Sequence, residues 1–406
     1  MKPPGSMPRH RAYRARALLA VLVLLVAGAA AAALGRGAVA ASVPPARPLL
    51  EAPGATSIST AGGTWASLPM GHLDEPLGTF WQLFELPSRT GAHWTDRAAS
   101  LAVATNGGLD LATPGGSSLV VGVRPSNRLD FSPLVATPNG TSWSPIPPAS
   151  ALGTGPDALA AAPGGRELAL ANGGRAPLVQ ALGGSGSAWH TLVTQASLAG
   201  SSAGRRCGVT ALTAVAYGPT GAALVGAACD RPGVVGVFGD GPAGWHLAGP
   251  ALPRDAGAAR VEVVRLARAG TGVDVLLALS DRSSGRLLVA WSGLTQARWS
   301  TSPAIDLARS ERLVSVGPAA GLGEFALVGD ASGRERAEIV TGPGTPWQAL
   351  PPPPAATATL AFGPRGRVDA LAVNDTVLSD WTLAPTRHSW TRTAVVRVPI
   401  EFGSSG

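Results

Sequence analysis

The sequence predicts an all-β fold in which four-stranded antiparallel sheets repeat around an axis, as in a β-propeller. A tryptophan recurs at intervals of 43 to 56 residues, at Trp94, Trp143, Trp189, Trp245, Trp299, Trp347 and Trp390. A glycine-rich turn precedes each of the last six tryptophans, by 25 to 28 residues in five copies and by 36 in the first. Self-similarity at this period is typical of propellers and solenoids.

Each repeat contains four short segments with strand character. In the copy around Trp189 these are residues 157–163, 166–171, 176–182 and 189–194, each apolar or alternating and each bounded by a tight turn. Four such strands make one antiparallel propeller blade. After residue 42 no stretch has a convincing helical period, so we expect little helix. Six complete copies lie between Trp94 and Trp390.

The segment ahead of Trp94 predicts one further, degenerate repeat. It offers three strands, at residues 64–68, 79–87 and 93–95. A ring must cover the edges of its first and last sheets, so we favour seven blades, with six blades and an N-terminal extension as the alternative. The recurring tryptophans are interpreted as packing residues between sheets, because a large aromatic at one fixed position in each blade buries much area.

The first 42 residues have the features of a targeting segment. Lys2 and four arginines up to Arg16 form a basic region, residues 17–34 are apolar and uncharged, and Ala38-Val39-Ala40 offers a cleavage site. An apolar run of this length is near the lower limit for a membrane span, so a signal anchor is the alternative to a signal peptide. We expect residues 43–62 to be a linker and residues 63–402 to form one propeller domain.

The targeting segment also carries most of the net charge. Its basic residues supply six of the formal charges that give the chain +7, and the rest is near neutral. A near-neutral domain lacks the basic footprint of nucleic-acid binding, so we predict no nucleic-acid partner. Lys2 is the single lysine among abundant Ala, Gly, Pro and Arg, a composition typical of a bacterial, GC-rich genome. We predict an exported protein, secreted or anchored at the outer face of the cytoplasmic membrane.

Several turns before the tryptophans keep a glycine three residues ahead of the indole, at Gly91, Gly140, Gly186 and Gly344. This spacing resembles a degenerate form of the Asp-box, or BNR repeat, of sialidase-like propellers, whose motif is Ser-x-Asp-x-Gly-x-Thr-Trp. The motif's aspartate is kept at Asp240, five residues before its tryptophan. The resemblance covers most of the chain after the targeting segment and implies the fold rather than an activity.

Sialidases of this architecture use a tyrosine nucleophile assisted by a glutamate, a general-acid aspartate and three arginines that hold the substrate carboxylate. The first arginine lies in a Phe/Tyr-Arg-Ile/Leu-Pro motif, for which the closest match is Phe84-Glu85-Leu86-Pro87. Glu85 would repel that carboxylate. Tyr217, the only tyrosine after the targeting segment, lies at the end of a predicted innermost strand. We therefore favour a protein without catalytic activity. The alternative is a divergent glycoside hydrolase, which needs two carboxylates about 5–9.5 Å apart.

Cys207 and Cys229 are the two cysteines of the chain, and the midpoint between them is residue 218, which lies in the Gly218–Gly221 turn. They should therefore face each other across a hairpin. Exported chains fold under oxidising conditions, so we predict a disulfide between them.

The candidate binding surface lies on one face of the propeller. Lengths vary between each tryptophan and the next glycine turn, and around residues 124–130, whereas the other turns are uniform. The variable segments connect successive blades or follow a second strand, and both kinds of loop emerge at the same end of a four-stranded blade, where loops can carry function. The candidate binding residues are the charged residues of these loops: Arg124, Arg128, Asp130, Arg175, Arg205, Arg206, Asp230, Arg231, Asp281, Arg282, Asp330 and Arg334. The simpler interpretation of these residues is turn chemistry.

The sequence offers no cofactor or metal motif. The histidines are scattered without metal-ligand spacing, and neither a phosphate-binding loop nor a nucleophile elbow is present. We therefore predict no metal and no cofactor. The predicted function is an exported, non-catalytic binding or scaffold protein of the cell envelope, with an envelope protein or a glycan as its partner. Asp230, Asp281 and Asp330 lie on different repeats and are the carboxylates from which the hydrolase alternative would draw its pair.

Overall fold

Successive strands of the chain pair with their neighbours in antiparallel meanders. The computed structural model describes residues 54–72, 78–97, 107–124, 134–139, 142–146, 156–172, 176–184, 188–281, 284–293, 298–319, 321–363, 366–383 and 388–399. The predicted targeting segment, residues 1–42, lies outside the described residues, as do the candidate site residues Arg128, Asp130, Arg175 and Arg282.

The first three sheets each contain four strands. The first is β1 (Thr56–Ser59), β2 (Gly63–Gly71), β3 (Thr79–Pro87) and β4 (Thr95–Asp96). The second is β5 (Gly108–Gly115), β6 (Ser118–Arg124), β7 (Leu134–Asn139) and β8 (Ser142–Pro145). The third is β9 (Ala158–Ala162), β10 (Arg166–Ala171), β11 (Leu178–Gly183) and β12 (Trp189–Thr194).

A nine-stranded sheet follows, and we divide it into two parts where β14 and β17 pair through Cys229 and Val261. The fourth sheet is β13 (Val209–Tyr217), β14 (Ala223–Cys229), β15 (Gly236–Gly239) and β16 (His246–Leu247). The fifth is β17 (Arg260–Ala269), β18 (Gly272–Ser280), β19 (Gly285–Ser292) and β20 (Trp299–Thr301), with β21 (Ile305–Leu307) also paired to β19. Because this sheet is continuous in its hydrogen bonds, the number of blades stays a prediction.

Two four-stranded sheets complete the chain. The sixth is β22 (Arg312–Pro318), β23 (Glu324–Gly329), β24 (Glu335–Val340) and β25 (Gln348–Ala349). The seventh is β26 (Thr357–Phe362), β27 (Val368–Asn374), β28 (Val377–Leu383) and β29 (Thr391–Arg397). The predicted all-β fold of repeated four-stranded antiparallel sheets is confirmed.

The hydrophobic core lies between the sheets. Each core cluster joins two successive sheets, and one of them joins the seventh sheet to the first through Leu68, Phe84, Leu371 and Leu378. Apolar side chains on both faces of a sheet need a partner on each side. The contact between the last and first sheets supplies that partner at the ends of the series, and the sheets therefore close into a ring.

Every recurring tryptophan packs into the seam with the preceding sheet. Trp94 lies in the cluster between the seventh and first sheets. The seams from the first–second to the sixth–seventh hold, in order, Trp143, Trp189, Trp245, Trp299, Trp347 and Trp390. The predicted packing role of these indoles is confirmed. The turns that lead to two of them use glycine in the left-handed region, with φ of +73° at both Gly91 and Gly344, a conformation that favours glycine over any residue with a Cβ.

The first sheet is more complete than the sequence suggested. β1 (Thr56–Ser59) lies within residues 43–62, for which we predicted a linker, so the linker prediction is wrong for these four residues. The strand has no apolar run, and its stability comes from tertiary contacts: Ser57 Oγ donates to Leu360 O at 2.6 Å, and Ser59 Oγ donates to Phe362 O at 2.7 Å. Both acceptors lie on β26, so β1 depends on ring closure.

A helical connection links the third and fourth sheets. Helices α1 (Gln195–Gly200) and α2 (Ser202–Cys207) are each one or two turns long. Thr194 caps α1 by accepting from the backbone N–H of Ser197 at 3.1 Å, and Ser201 caps α2 in the same way. Such caps satisfy amide groups that lack partners within the helix. The predicted disulfide is confirmed, since Cys207 is bonded to Cys229 on β14.

Candidate functional site

The loop face is the end of the ring where the connections between sheets and the turns after second strands emerge. Antiparallel pairing places both kinds of loop at the same end of each sheet. Of the candidate residues, Arg205 and Arg206 are exposed at the end of α2, and Asp230 and Arg231 are exposed in the turn after β14. Asp281, Asp330 and Arg334 occupy the corresponding turns after β18 and β23.

The aspartates of these turns are engaged in local hydrogen bonds. Oδ1 of Asp281 accepts from the backbone N–H of Ser284 at 2.8 Å. Oδ1 of Asp330 accepts from the backbone N–H of Ser332 at 2.8 Å and of Arg334 at 3.1 Å. The hydroxyl of Ser332 and these amides hold the pKa of the Asp330 carboxyl well below its usual range. Asp281 and Asp330 therefore serve their own turns, as turn chemistry predicts.

Arg124 lies at the end of β6 and is half-buried, whereas the other candidate arginines that the structure describes are exposed. Its Nη1 pairs with the carboxylate of Asp157, and its Nε donates to Gly107 O at 3.0 Å. Burial lowers the pKa of its guanidinium, and the nearby Asp110 carboxylate opposes that effect. Arg124 thus links the second and third sheets and is not exposed on the loop face.

A cavity of about 890 Å³ runs along the centre of the ring. Its walls are formed mainly by the first strand of successive sheets: β1, β5, β9, β13, β17 and β22. Charged residues on these walls include Asp110, Asp157, Arg265 and Arg268. The sequence pattern pointed to the loops and gave no signal for this set, since single charged residues in or beside short strands form no motif.

Asp110 and Asp157 both interact with Arg124 and both line the cavity. Burial raises the pKa of Asp110 to about 6, although Arg124 lowers it in part. Oδ2 of Asp157 accepts from the backbone N–H of Asn172 at 2.5 Å, in addition to the ion pair of Oδ1 with Arg124. The two carboxyl groups therefore have different surroundings: burial favours the protonated form of Asp110, whereas Asp157 is held in an ion pair.

A second buried charge cluster lies between the fifth and sixth sheets. Arg265, which lines the cavity, pairs with the buried carboxylates of Glu324 and, at 3.5 Å, Asp274. Burial raises the pKa of Glu324 well above its usual value, and Arg265 opposes this effect. Arg265 is the cation that compensates these two carboxylates, so the cluster is a structural link between the sheets.

Tyr217 and Glu85 do not provide the chemistry of a sialidase. The Tyr217 ring is buried, with the Arg166 guanidinium carbon 5.1 Å from its centroid. Burial is the main factor that raises the pKa of Tyr217 to about 12; Arg166 opposes it, and Glu167 adds to it. A phenol with a raised pKa is a poor nucleophile at neutral pH. Glu85 forms an ion pair with Arg97 at 2.6 Å.

Within the described ranges, no group of three or more His, Cys, Asp or Glu side chains could hold a metal ion. In the same part of the chain, no helix has the length and apolar character needed to cross a bilayer.

Comparison with solved structures agrees with the ring of sheets. The chain has a β-propeller fold. It is similar to a protein of Lactobacillus plantarum, with a TM-score of 0.51, 13% identity, and coverage of 82% of this chain and 96% of that one. It also matches TolB from Acinetobacter baumannii, with a TM-score of 0.42, 12% identity, and coverage of 72% and 68%. A lectin of Aleuria aurantia matches with a TM-score of 0.38, 12% identity, and coverage of 86% and 96%.

Identities this low show the fold alone. No protein-family model matches this propeller, and no curated protein matches it in sequence.

Proposed function

We propose that this propeller is an exported, non-catalytic binding or scaffold protein of the cell envelope, which binds a protein or a glycan on its loop face. The observation that carries the proposal is the pair of short helices α1 and α2 on that face. The Cys207–Cys229 disulfide links α2 to β14, and Arg205 and Arg206 of α2 are exposed. A disulfide fits an exported protein, because thiols stay reduced in the cytosol.

Export is proposed to depend on residues 1–42, with residues 63–402 as the main propeller domain. A fusion of residues 1–62 to alkaline phosphatase, an enzyme that is active only outside the cytoplasm, tests the first part. We expect activity from this fusion and none from a fusion that lacks residues 17–34. Fractionation of the full chain then distinguishes a secreted protein from one anchored by residues 17–34. We also propose that the repeats are degenerate forms of the BNR repeat.

Binding is tested with the full chain, incubated with polysaccharide and protein fractions of a bacterial envelope and recovered by an affinity tag. We expect a specific fraction to bind, and binding to weaken when Arg205 and Arg206 are both replaced by Ser. Replacement of Arg89 and Arg298, which are exposed in turns at the opposite end of the ring, serves as the control. Equal retention by both double variants would exclude the loop face as the site.

The second candidate is a divergent glycoside hydrolase, and one observation favours it. Asp110 and Asp157 both line the central cavity beside Arg124, and the pKa of Asp110 is raised to about 6. Two carboxyl groups whose surroundings separate their pKa values suit an acid and its partner. Activity on a panel of aryl glycosides that Asp110→Asn abolishes would establish the hydrolase. Absence of turnover by the wild-type chain is the expected result for the binding protein.

A further inference from the structure

Four arginines lie close together on the loop face, around the disulfide. We call Arg205, Arg206, Arg231 and Arg260 the arginine cluster. The backbone N–H of Arg231 donates to Cys207 O at 3.0 Å, which places Arg231 next to the end of α2. Nη2 of Arg260 lies 2.9 Å from Oδ1 of Asp230, the residue before Arg231. Three chain segments thus converge on one exposed patch.

The patch is held in place before any partner binds. The disulfide joins α2 to the end of β14, and the backbone N–H of Asp230 donates to Gly208 O at 2.9 Å. Leu198 of α1 is fully buried in the core between the third and fourth sheets. Fixing the backbone in advance reduces the entropy that binding must overcome. The arginine cluster is therefore a rigid surface and not a set of independent loop ends.

The positive charge of the cluster is largely uncompensated. Asp230 pairs with Arg260, and the Nη1 of Arg205 donates to the carbonyl of Gly200. Among the residues that the structure describes, the side chains of Arg206 and Arg231 have no hydrogen-bond or ion-pair partner. A guanidinium presents a planar fork of donors that fits carboxylate and phosphate groups. An anionic partner would provide these acceptors and relieve the repulsion among the arginines.

We propose that the arginine cluster binds a polyanionic glycan, with carboxylate or phosphodiester groups along its chain. This inference rests on the proposed binding function of the loop face and specifies its ligand class. Several arginines spread over three segments suit a repeating anion better than a single small one.

A protein partner fits this surface less well. Protein interfaces depend on aromatic or large apolar side chains at their centre. In the described ranges, the exposed large hydrophobic residues are Leu322, in the turn before β23, and Val395, on β29. Both lie away from the arginine cluster, which leaves electrostatic and hydrogen-bonding contacts as its means of binding.

The test uses the purified full chain and four probes: polygalacturonate, poly(glycerol phosphate), neutral dextran and polyglutamate. We expect one or both of the first two to bind at low salt and to weaken as salt screens the charges. The variant with Arg206→Ser and Arg231→Ser should bind at least about tenfold more weakly than wild type, since each substitution removes a charge-assisted contact. The matched control, with Arg89→Ser and Arg298→Ser, removes the same charge from the opposite end and should stay within about twofold of wild type.

Distinct outcomes overturn the inference and the proposed function. Equal losses in the two double variants, or polyglutamate binding as tightly as the glycans, would reject the arginine cluster as a glycan site. If the wild-type chain retains an envelope fraction but neither anionic glycan, the ligand class is wrong and the binding function survives. If it retains no envelope component and no probe, the proposed function itself fails.

Discussion

The indole Nε1 of Trp94 donates a hydrogen bond of 3.3 Å to Oδ2 of Asp369, which joins the first sheet to the last. Asp369 is fully buried and also accepts from Arg367 at 2.7 Å and from the hydroxyl of Thr382 at 2.8 Å. Trp299 and Trp390 likewise donate from Nε1 to the preceding sheet, to Ala248 O and Pro351 O. The ring is therefore closed by the same indole contact that is used within it, here with a buried carboxylate as acceptor.

Trp94→Phe should lower the free energy of unfolding by about 1–3 kcal/mol, because it leaves a buried acceptor with one donor fewer. Chemical unfolding in urea measures the effect. Trp390→Phe is the control, since its indole is only half-buried and donates to a backbone carbonyl. We expect the Trp390 variant to lose less than the Trp94 variant, and the reverse order would contradict the role assigned to ring closure.

Removal of the disulfide through Cys207→Ala with Cys229→Ala should cost ~3 kcal/mol in the loop-entropy model, for a sequence separation of 22 residues. Both sulfurs are buried, so alanine also leaves small voids. Thermal unfolding of wild type with and without reductant gives the comparison. A variant that still responds to reductant would show that the effect has another origin.

Glu167 should make stability depend on pH. Burial raises its pKa from 4.5 to about 7, and its Oε2 has no hydrogen-bond partner among the residues that the structure describes. The folded state therefore binds the proton more tightly than the unfolded chain. The stabilisation from this proton is present below about pH 4.5 and is lost as the pH rises through about 7.

We expect Glu167→Gln to raise the free energy of unfolding by roughly 1–3 kcal/mol at pH 8 and to change it little at pH 4.5. Melting temperatures between pH 4.5 and 8 test this, with Asp240→Asn, a change at an exposed aspartate before Trp245, as the surface control. An equal effect of Glu167→Gln at both pH values would mean that folding does not raise the pKa of Glu167.

Arg265→Met should destabilise the fold by about 3–5 kcal/mol, because Glu324 and Asp274 would then be buried without their cation. Addition of Glu324→Gln to this variant should recover part of the loss, since only one carboxyl group then remains buried without its cation. Urea unfolding of the two single variants and the double variant gives the coupling energy. Additive losses would show that the three residues do not act as one cluster.

Much of the fold follows from local sequence. The strand β10 was predicted with its observed bounds, Arg166–Ala171, because polar and apolar residues alternate between two glycine turns. The disulfide was predictable because the midpoint between Cys207 and Cys229 falls in a glycine-rich turn. By contrast, β1 was not predictable, because Ser57 and Ser59 hold it in place through hydrogen bonds to β26, some 300 residues away in sequence.

The candidate site likewise has features that the sequence predicts and features that it does not. Turn chemistry at Asp281 and Asp330 was predictable, because those hydrogen bonds join residues two to four positions apart. Arg124 was predicted on the loop face, but it contacts Asp157, just before β9, and interacts with Asp110 on β5, neither of which is close to it in sequence.

The sequence alone determined the repeat, the strand pattern, the position of one indole in each repeat and the cysteine pair, because periodicity and turn residues act over a few positions. Only the tertiary structure decided which indole reaches a buried carboxylate, which charges line the cavity and which arginines meet around the disulfide. Those features depend on distances between segments far apart in the chain, and short-range pattern does not encode such distances.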